Sequence, residues 1–474
     1  MVFQSREISI GHLTMGGNFP IRIQSMTNTP TTDTKATVEQ IERLAATGCE
    51  LVRVTAANIR EAESLKNIRL LLDKKKIRMP LIADVHFQPK AAEIAAEMVE
   101  KVRINPGNYT GSHHKGKKYT EETYQAELLE TRRNLRPLLK RCQQHGTALR
   151  IGINHGSLSD RTLYRYGNTA KGMVASAMEF IRICQAEGFN NLTLSLKASQ
   201  VETVIKANRL MVSEMQKTGL HYPLHLGVTE AGNGLDGRVK SIMGIGTLLS
   251  EGIGDTIRVS LTEPPENEIP VAKQIANLYG RKPFTLSAAR IKKYGSLPEK
   301  EKEKTILFRN KENIPDGKII VLSYTNLTEN ELLYRAPVDF FHAFETHPEA
   351  LGLLIRSEDT TTAYLRKLTL TILQARGLFY SQTELVACPS CGRTQFNIER
   401  LLEKVKSRLG DVKGLKIAVM GCTVNGPGEM AGADYGFVGA APGKVHLYKG
   451  RNIIFRNLSE DEAIKQMEKL IRKK

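Results

Sequence analysis

The chain has 474 residues, a formal net charge of +18, 41% hydrophobic residues and six cysteines. That length predicts two or three domains, and the lack of any apolar run of about 18 residues excludes a membrane-spanning helix. So few cysteines, behind an N-terminus with no basic start followed by an apolar block, exclude a disulfide scaffold and predict a reducing, cytoplasmic setting, where clustered cysteines bind metal or do redox work. The positive charge fits nucleic acid, anionic small molecules or acidic protein partners and does not choose among them; runs such as KGKK (115–118) read as solvated faces.

Eight short apolar segments recur through the first 260 residues: IRIQSM (21–26), LVRVT (51–55), PLIADVH (80–86), KVRIN (101–105), ALRIGIN (148–154), LTLSLK (192–197), PLHLGVTE (223–230) and TIRVS (256–260). Helical patterns separate them, among them ATVEQIERLAATG (36–48) and GMVASAMEFIRICQAEG (172–188). Strand–helix alternation eight times over predicts an α/β fold, a (β/α)8 barrel of the TIM type. An open doubly wound sheet is the alternative, weakened because no glycine-rich dinucleotide fingerprint follows the first strand.

Side chains two apart on a strand share a face. Arg53 thus pairs with Thr55, Asp84 with His86, Arg103 with Asn105, Arg150 with Asn154 through Gly152, Ser195 with Lys197, Val228 with Glu230, and Arg258 with Ser260. Polar residues gather at the C-terminal strand ends, the rim on which such barrels build their active sites. A buried charge is costly unless paired, and Asp84 and Glu230 cannot neutralise Arg53, Arg103, Arg150, Lys197 and Arg258. A polyanion can, and the guanidinium fork suits phosphate oxygens, so a multi-phosphate site is expected here.

The barrel is expected over 1–280. From 281 to 318 the chain is charged and poor in apolar periodicity, and reads as a linker or loosely ordered arm. IIVLSY (319–324), LGLLIRS (351–357) and TTAYLRKLTLTILQARGLF (361–379) then resume as strand, strand and helix. This insert, 281–380, is too small for a second barrel. The last segment, 381–474, reads as a compact α/β domain with a helix at 396–409 and strands at 416–421, 435–440, 444–449 and 452–457. Ser459 and Glu462 form a capping box for its final helix.

Cys49, Cys142 and Cys184 stand in apolar or helical context and are read as core packing. CPSC (388–391) lets one turn aim two thiolates at one centre. Cys422 opens the glycine-rich turn CTVNGPGE, in which Pro427 between Gly426 and Gly428 fixes a bend that can bring Glu429 back toward that centre. Cys388, Cys391, Cys422 and Glu429 fit either a structural zinc site or an iron–sulfur cluster.

QSMTNT (24–29), RINPGN (103–108), RIGIN (150–154), LKAS (196–199), TEAG (229–232), EGIGDTIRVSL (251–261), CPSCGR (388–393) and GCTVNGPGE (421–429) resemble, in order, the 4-hydroxy-3-methylbut-2-en-1-yl diphosphate synthase family of the methylerythritol phosphate route to isoprenoids. The resemblance implies that the barrel binds 2-C-methyl-D-erythritol 2,4-cyclodiphosphate through Arg53, Arg103, Asn105, Arg150, Asn154, Lys197, Arg258 and Ser260. It implies a C-terminal domain similar to the cluster domains of sulfite and nitrite reductases, with a [4Fe-4S] cluster on Cys388, Cys391, Cys422 and Glu429. Asn425 and Glu429 would face the substrate, and Glu230 and His86 would handle or position a proton. The implied reaction is a two-electron reductive ring opening with loss of water, fed by ferredoxin or flavodoxin, both acidic proteins that a basic surface steers; nucleic acid is not an expected partner.

ELLYR (331–335), LGLLI (351–355) and 428–450 resemble the family's larger version, whose middle domain seats one chain's cluster domain on its own barrel. Here that domain looks mostly missing, so closure between two chains of a homodimer, as in the insert-free version, is expected. Two other classes compete: a basic RNA-binding protein with a zinc ribbon, and a sirohaem sulfite or nitrite reductase, which needs a fourth cluster cysteine.

Overall fold

The computed structural model describes residues 3–109, 118–309, 314–424, 426–430 and 432–472. Asn425, and all of the 115–118 run except Lys118, lie outside the described residues. Each predicted apolar segment of the N-terminal region contains a strand: Arg22–Met26, Leu51–Thr55, Leu81–Asp84, Lys101–Ile104, Ala148–Asn154, Leu192–Lys197, His225–Leu226 and Thr256–Ile257. Their pairing is parallel, and Thr256–Ile257 joins both the first strand and His225–Leu226. A parallel bridge between Leu194 and Leu224, with the Leu194 N–H donating to the Pro223 carbonyl at 2.9 Å, closes the ring. The last two strands are shorter than predicted, because the polar stretches Gly227–Glu230 and Arg258–Ser260 leave the ladder as rim.

Helices pack outside the ring by an apolar stripe; on Val201–Lys217 it comprises Val204, Ile205, Met211 and Met215. Cys49, Cys142 and Cys184 are buried in the apolar core, and burial pushes their thiols up. A hairpin of Ile8–Ile10 and Leu13–Met15, too short to show a period in sequence, seats Ile8, Ile10 and Met15 on Leu51, Ile82 and Ala148 and plugs the floor of the barrel.

The insert corrects the sequence reading. The 281–318 stretch is not a flexible arm in its described residues. Ala289–Lys293 pairs antiparallel with Lys318–Tyr324, which runs parallel to Gly352–Ser357, and Ile306–Leu307 forms the other edge. Both contributions are edge strands. Arg290, Lys292 and Lys293 point to solvent, which discourages further pairing and also removes the apolar alternation a reader looks for. Helices Glu329–Thr346 and Thr362–Ala375 share one apolar core with the barrel. Arg209 of the barrel clamps Glu251 and Glu345 at 2.6–2.9 Å, and Arg376 pairs with Glu202 at 2.6 Å while lying 5.1 Å from the Phe341 ring centre. Such a seat makes a firm spacer.

The C-terminal sheet runs in chain order: Glu384–Ala387, Lys416–Met420, Tyr435–Ala441, Lys444–Lys449 and Asn452–Leu458, the first three parallel and the rest antiparallel. Ile398–Leu409 and Glu460–Arg472 cover one face through Leu401, Val405, Ile464 and Met467. Ser459 and Glu462 make the expected capping box, with bonds of 2.9 and 3.4 Å.

This domain sits on the rim of its own chain's barrel. Ala231 bridges Ala387, the Thr262 hydroxyl donates to the Ala387 carbonyl at 3.1 Å, and Lys240 pairs with Glu384 at 3.4 Å. Gly156 and Gly428 meet backbone to backbone; a Cβ on Gly428 would lie 2.1 Å from the Gly156 carbonyl oxygen. In this single chain the domain thus lies over its own barrel, the alternative to the expected closure between two chains of a homodimer. The insert is larger and better seated than two strands and a helix.

Candidate active site

Alternation along the barrel strands turns Arg53, Asp84, Arg103, Arg150, Ser195, Lys197 and Arg258 to the interior, and all line one cavity under the C-terminal domain. Two glycines make room for the long side chains. A Cβ on Gly152 would lie 2.4 Å from Arg103 Nε, and one on Gly227 would lie 2.7 Å from Lys197 Nζ. The inner wall is thus thinned where the cations lie.

Arg103 donates to Asp84 Oδ1 at 3.1 Å and to the Gly152 carbonyl at 3.0 Å, and also bonds the His86 ring. Arg258 is engaged by Glu268 through Nε at 3.1 Å and Nη2 at 3.0 Å. Glu268 is a counter-ion that the sequence reading did not count, because it lies on the helix behind the barrel. Arg53 Nε points to the Met26 sulfur at 3.0 Å, and Lys197 Nζ lies 3.0 Å from His225 Nε2. Arg150 is 1% exposed, and neither its Nε nor its Nη1 has a partner.

The charges do not balance. Burial pulls Arg53 down to about 10, and burial together with neighbouring guanidiniums pulls Arg150 and Lys197 well below their usual values. Burial, with Arg103 and Arg393 beside it, depresses His86 to about 3, so the ring is neutral. Burial alone would raise Asp84, but Arg53, Arg103 and Arg393 outweigh it and keep the carboxylate well below its usual range. This is a site short of anions.

The roof of the cavity carries Cys388, Cys391, Cys422 and Glu429. The Gly421 N–H donates to Cys388 Sγ at 3.1 Å, and the Cys391 N–H to Thr394 Oγ1 at 3.0 Å, which fixes the turn that follows the second thiol. Burial raises the Cys388 thiol, and the neighbouring thiols of Cys422 and Cys391 raise it further. Three converging thiols, an amide donor to sulfur and a buried guanidinium nearby suit a group that keeps several thiolates ionised. Glu429 bonds Asn154 across the domain junction, and burial followed by the charge of Glu429 raises Glu230 well above its usual value.

Of the residues expected from sequence, Arg53, His86, Arg103, Arg150, Asn154, Lys197, Glu230, Arg258, Ser260, Cys388, Cys391, Cys422 and Glu429 come together here. Asn105 does not line the cavity. Its amide donates to Ser157 Oγ at 2.8 Å and its oxygen accepts the Gly107 N–H at 3.2 Å, so it braces the loop below. Arg393 was passed over as a site residue. It reaches Asp84 Oδ2 at 2.8 Å and the Asp84 carbonyl at 3.1 Å, is 9% exposed, and ties the cysteine loop to the barrel. Its only signal in sequence was an arginine two residues after Cys391.

Two family descriptions match the chain: the GcpE TIM-barrel domain over residues 5–273 and the GcpE protein C-terminal domain over 384–473. A 4-hydroxy-3-methylbut-2-en-1-yl diphosphate synthase (flavodoxin) of Phocaeicola vulgatus is 38% identical over 597 residues, covering 99% of this chain and 97% of the relative. The enzyme of the same description from Leptospira interrogans is 35% identical over 637 residues, covering 99% and 96%. Alignments that long against 474 residues leave more than a hundred positions of each relative without a counterpart here.

Proposed function

We infer, because this chain belongs to the GcpE family, that it reductively opens and dehydrates 2-C-methyl-D-erythritol 2,4-cyclodiphosphate to 4-hydroxy-3-methylbut-2-en-1-yl diphosphate, a step of isoprenoid precursor biosynthesis. The observation that carries the assignment of roles is the single cavity with cations on its floor and three thiols on its roof. Arg53, Arg103, Arg150 and Lys197, with Ser260 and the edge of Arg258 that Glu268 does not take, hold the diphosphate and stabilise the charge that grows on it as the ring opens. Asn154 and Glu429 lie between floor and roof and orient the carbon end of the substrate. Glu230 presents a buried carboxyl whose pKa burial and then Glu429 raise, which suits it to handle a proton at the site.

Cys388, Cys391 and Cys422 with Glu429 would hold a [4Fe-4S] cluster, which supplies low-potential electrons that no side chain can. The donor is flavodoxin, by the description of the relatives, and clustered cysteines fit a reaction in a reducing compartment, the cytoplasm. No described helix is long and apolar enough to cross a membrane. Protein purified without oxygen should be brown, carry about four iron and four sulfide per chain, and consume the cyclic diphosphate only with reduced flavodoxin. Stoichiometric zinc without iron would instead support the zinc-ribbon reading.

Glu429→Ala should separate holding the cluster from using it. Three thiols remain, so iron content is expected to stay near wild type while turnover falls on the order of 100-fold. Iron analysis and a turnover assay on one preparation check this, and wild-type turnover would remove Glu429 from the mechanism.

A further inference from the structure

Lys101 begins the strand Lys101–Ile104 and, two residues before Arg103, faces the same barrel interior one step deeper. It is wholly buried, and its Nζ has no hydrogen-bond partner. On either side it pairs with Ile82 and Ala148, which belong to the apolar plug with Ile8, Ile10 and Met15. The charged groups that reach it are Arg150 and Arg53, both cations, with His225 beyond them. Lys197 is turned to His225. Asp84 is engaged by Arg103 and Arg393, and Glu268 by Arg258, so neither is left for it. Apolar residues fill such a floor at less cost than an amine without a counter-ion.

We propose that Lys101 is a proton-accepting floor of the anion site, an uncharged amine in the empty barrel that takes a proton from solvent when a diphosphate is held above it. The proposal rests on the reading of the cavity as a diphosphate site. Burial and the guanidiniums of Arg150 and Arg53 hold the amine far below its usual value, which agrees with an uncharged start. The bound diphosphate reverses the sign of the field from above, and the same barrel interior holds further polar side chains without partners, Gln24 and Thr193. No bond to substrate is involved; Lys101 acts at one remove, through charge.

Binding is then linked to proton uptake, and affinity falls as pH rises through the interval between the free and the bound values. The test is calorimetric titration of the oxidised holoenzyme with 2-C-methyl-D-erythritol 2,4-cyclodiphosphate, in buffers of different ionisation enthalpy and across pH. Wild type should take up protons. Lys101→Met should take up roughly one fewer per site, and its pH slope of log Kd should flatten by about one unit per pH unit. Lys101→Arg, charged in both states, should lose the same uptake yet bind more tightly than Lys101→Met. Uptake equal to wild type in whichever variant folds overturns the proposal. Wild type that shows no saturable heat overturns the diphosphate reading instead.

Discussion

Arg150→Ala is expected to weaken binding of the cyclic diphosphate by about 10²- to 10⁴-fold and to lower kcat/KM by at least as much, with iron content unchanged. Arg150 differs from its neighbours in what it has left to give. Arg258 already spends two N–H groups on Glu268, and Arg103 is shared among Asp84, His86 and the Gly152 carbonyl. Arg150 keeps Nε and Nη1 buried with no partner. Two bonds to a charged phosphate are worth roughly 1.5–3 kcal/mol each, and about 1.4 kcal/mol is a factor of ten. The same unpaired guanidinium costs the empty fold, so the melting temperature of substrate-free Arg150→Ala should be no lower than wild type. Arg150→Lys should recover only part of the affinity, since an ammonium cannot offer the planar fork. Titration calorimetry decides it, and a Kd within threefold of wild type would remove Arg150 from the anion site.

The barrel was legible because its strands are buried on both faces and so read as apolar runs, while their inner rim carries charge at a spacing of two. That pattern brought Arg53, Arg103, Arg150, Lys197 and Arg258 to one interior before any contact was visible. Asn105 followed the same spacing yet braces a loop, because its amide is taken up by Ser157 and its oxygen by the Gly107 N–H beyond the strand end. Glu268 and Arg393 were hidden for a different reason. Each reaches the site from outside the barrel strands, Glu268 from the helix that follows Arg258 and Arg393 from the C-terminal domain, and nothing local marks a side chain whose partner lies on another element. Lys101 was masked by its own strand, where a lysine at the first position looks like a solvated end. The insert failed by composition: an edge strand rich in lysine and arginine, and a second only two residues long, look like linker until their partners are known.

The seat of the insert bears on which chain serves which barrel. Arg150 lies on the floor and Cys422 on the roof of one cavity, and both come from the same chain. Around them the junction is close-fitting. Gly156 and Gly428 leave no space for a side chain between their backbones, and Arg393 and Asp84 form a buried pair across it. Breaking such a pair by removing one partner costs roughly 3–5 kcal/mol, so the closed arrangement itself is firm, whichever chain supplies the roof. An Arg150→Ala chain has a sound roof over a dead floor, and a Cys422→Ala chain the reverse. When the two are mixed, every cavity built within one chain still contains one defect, and activity should stay at the level of the separate variants. Closure between chains predicts something else: in randomly exchanged dimers half would be mixed and one of their two cavities intact, which restores about a quarter of wild-type activity. Differently tagged chains, co-expressed and purified through both tags, guarantee that mixed assemblies are present if any oligomer forms. Activity in that doubly tagged fraction would show that roof and floor come from different chains and would overturn closure within one; a fraction that forms but stays inactive, or wild-type protein that is fully active as a monomer, leaves each chain closing on itself.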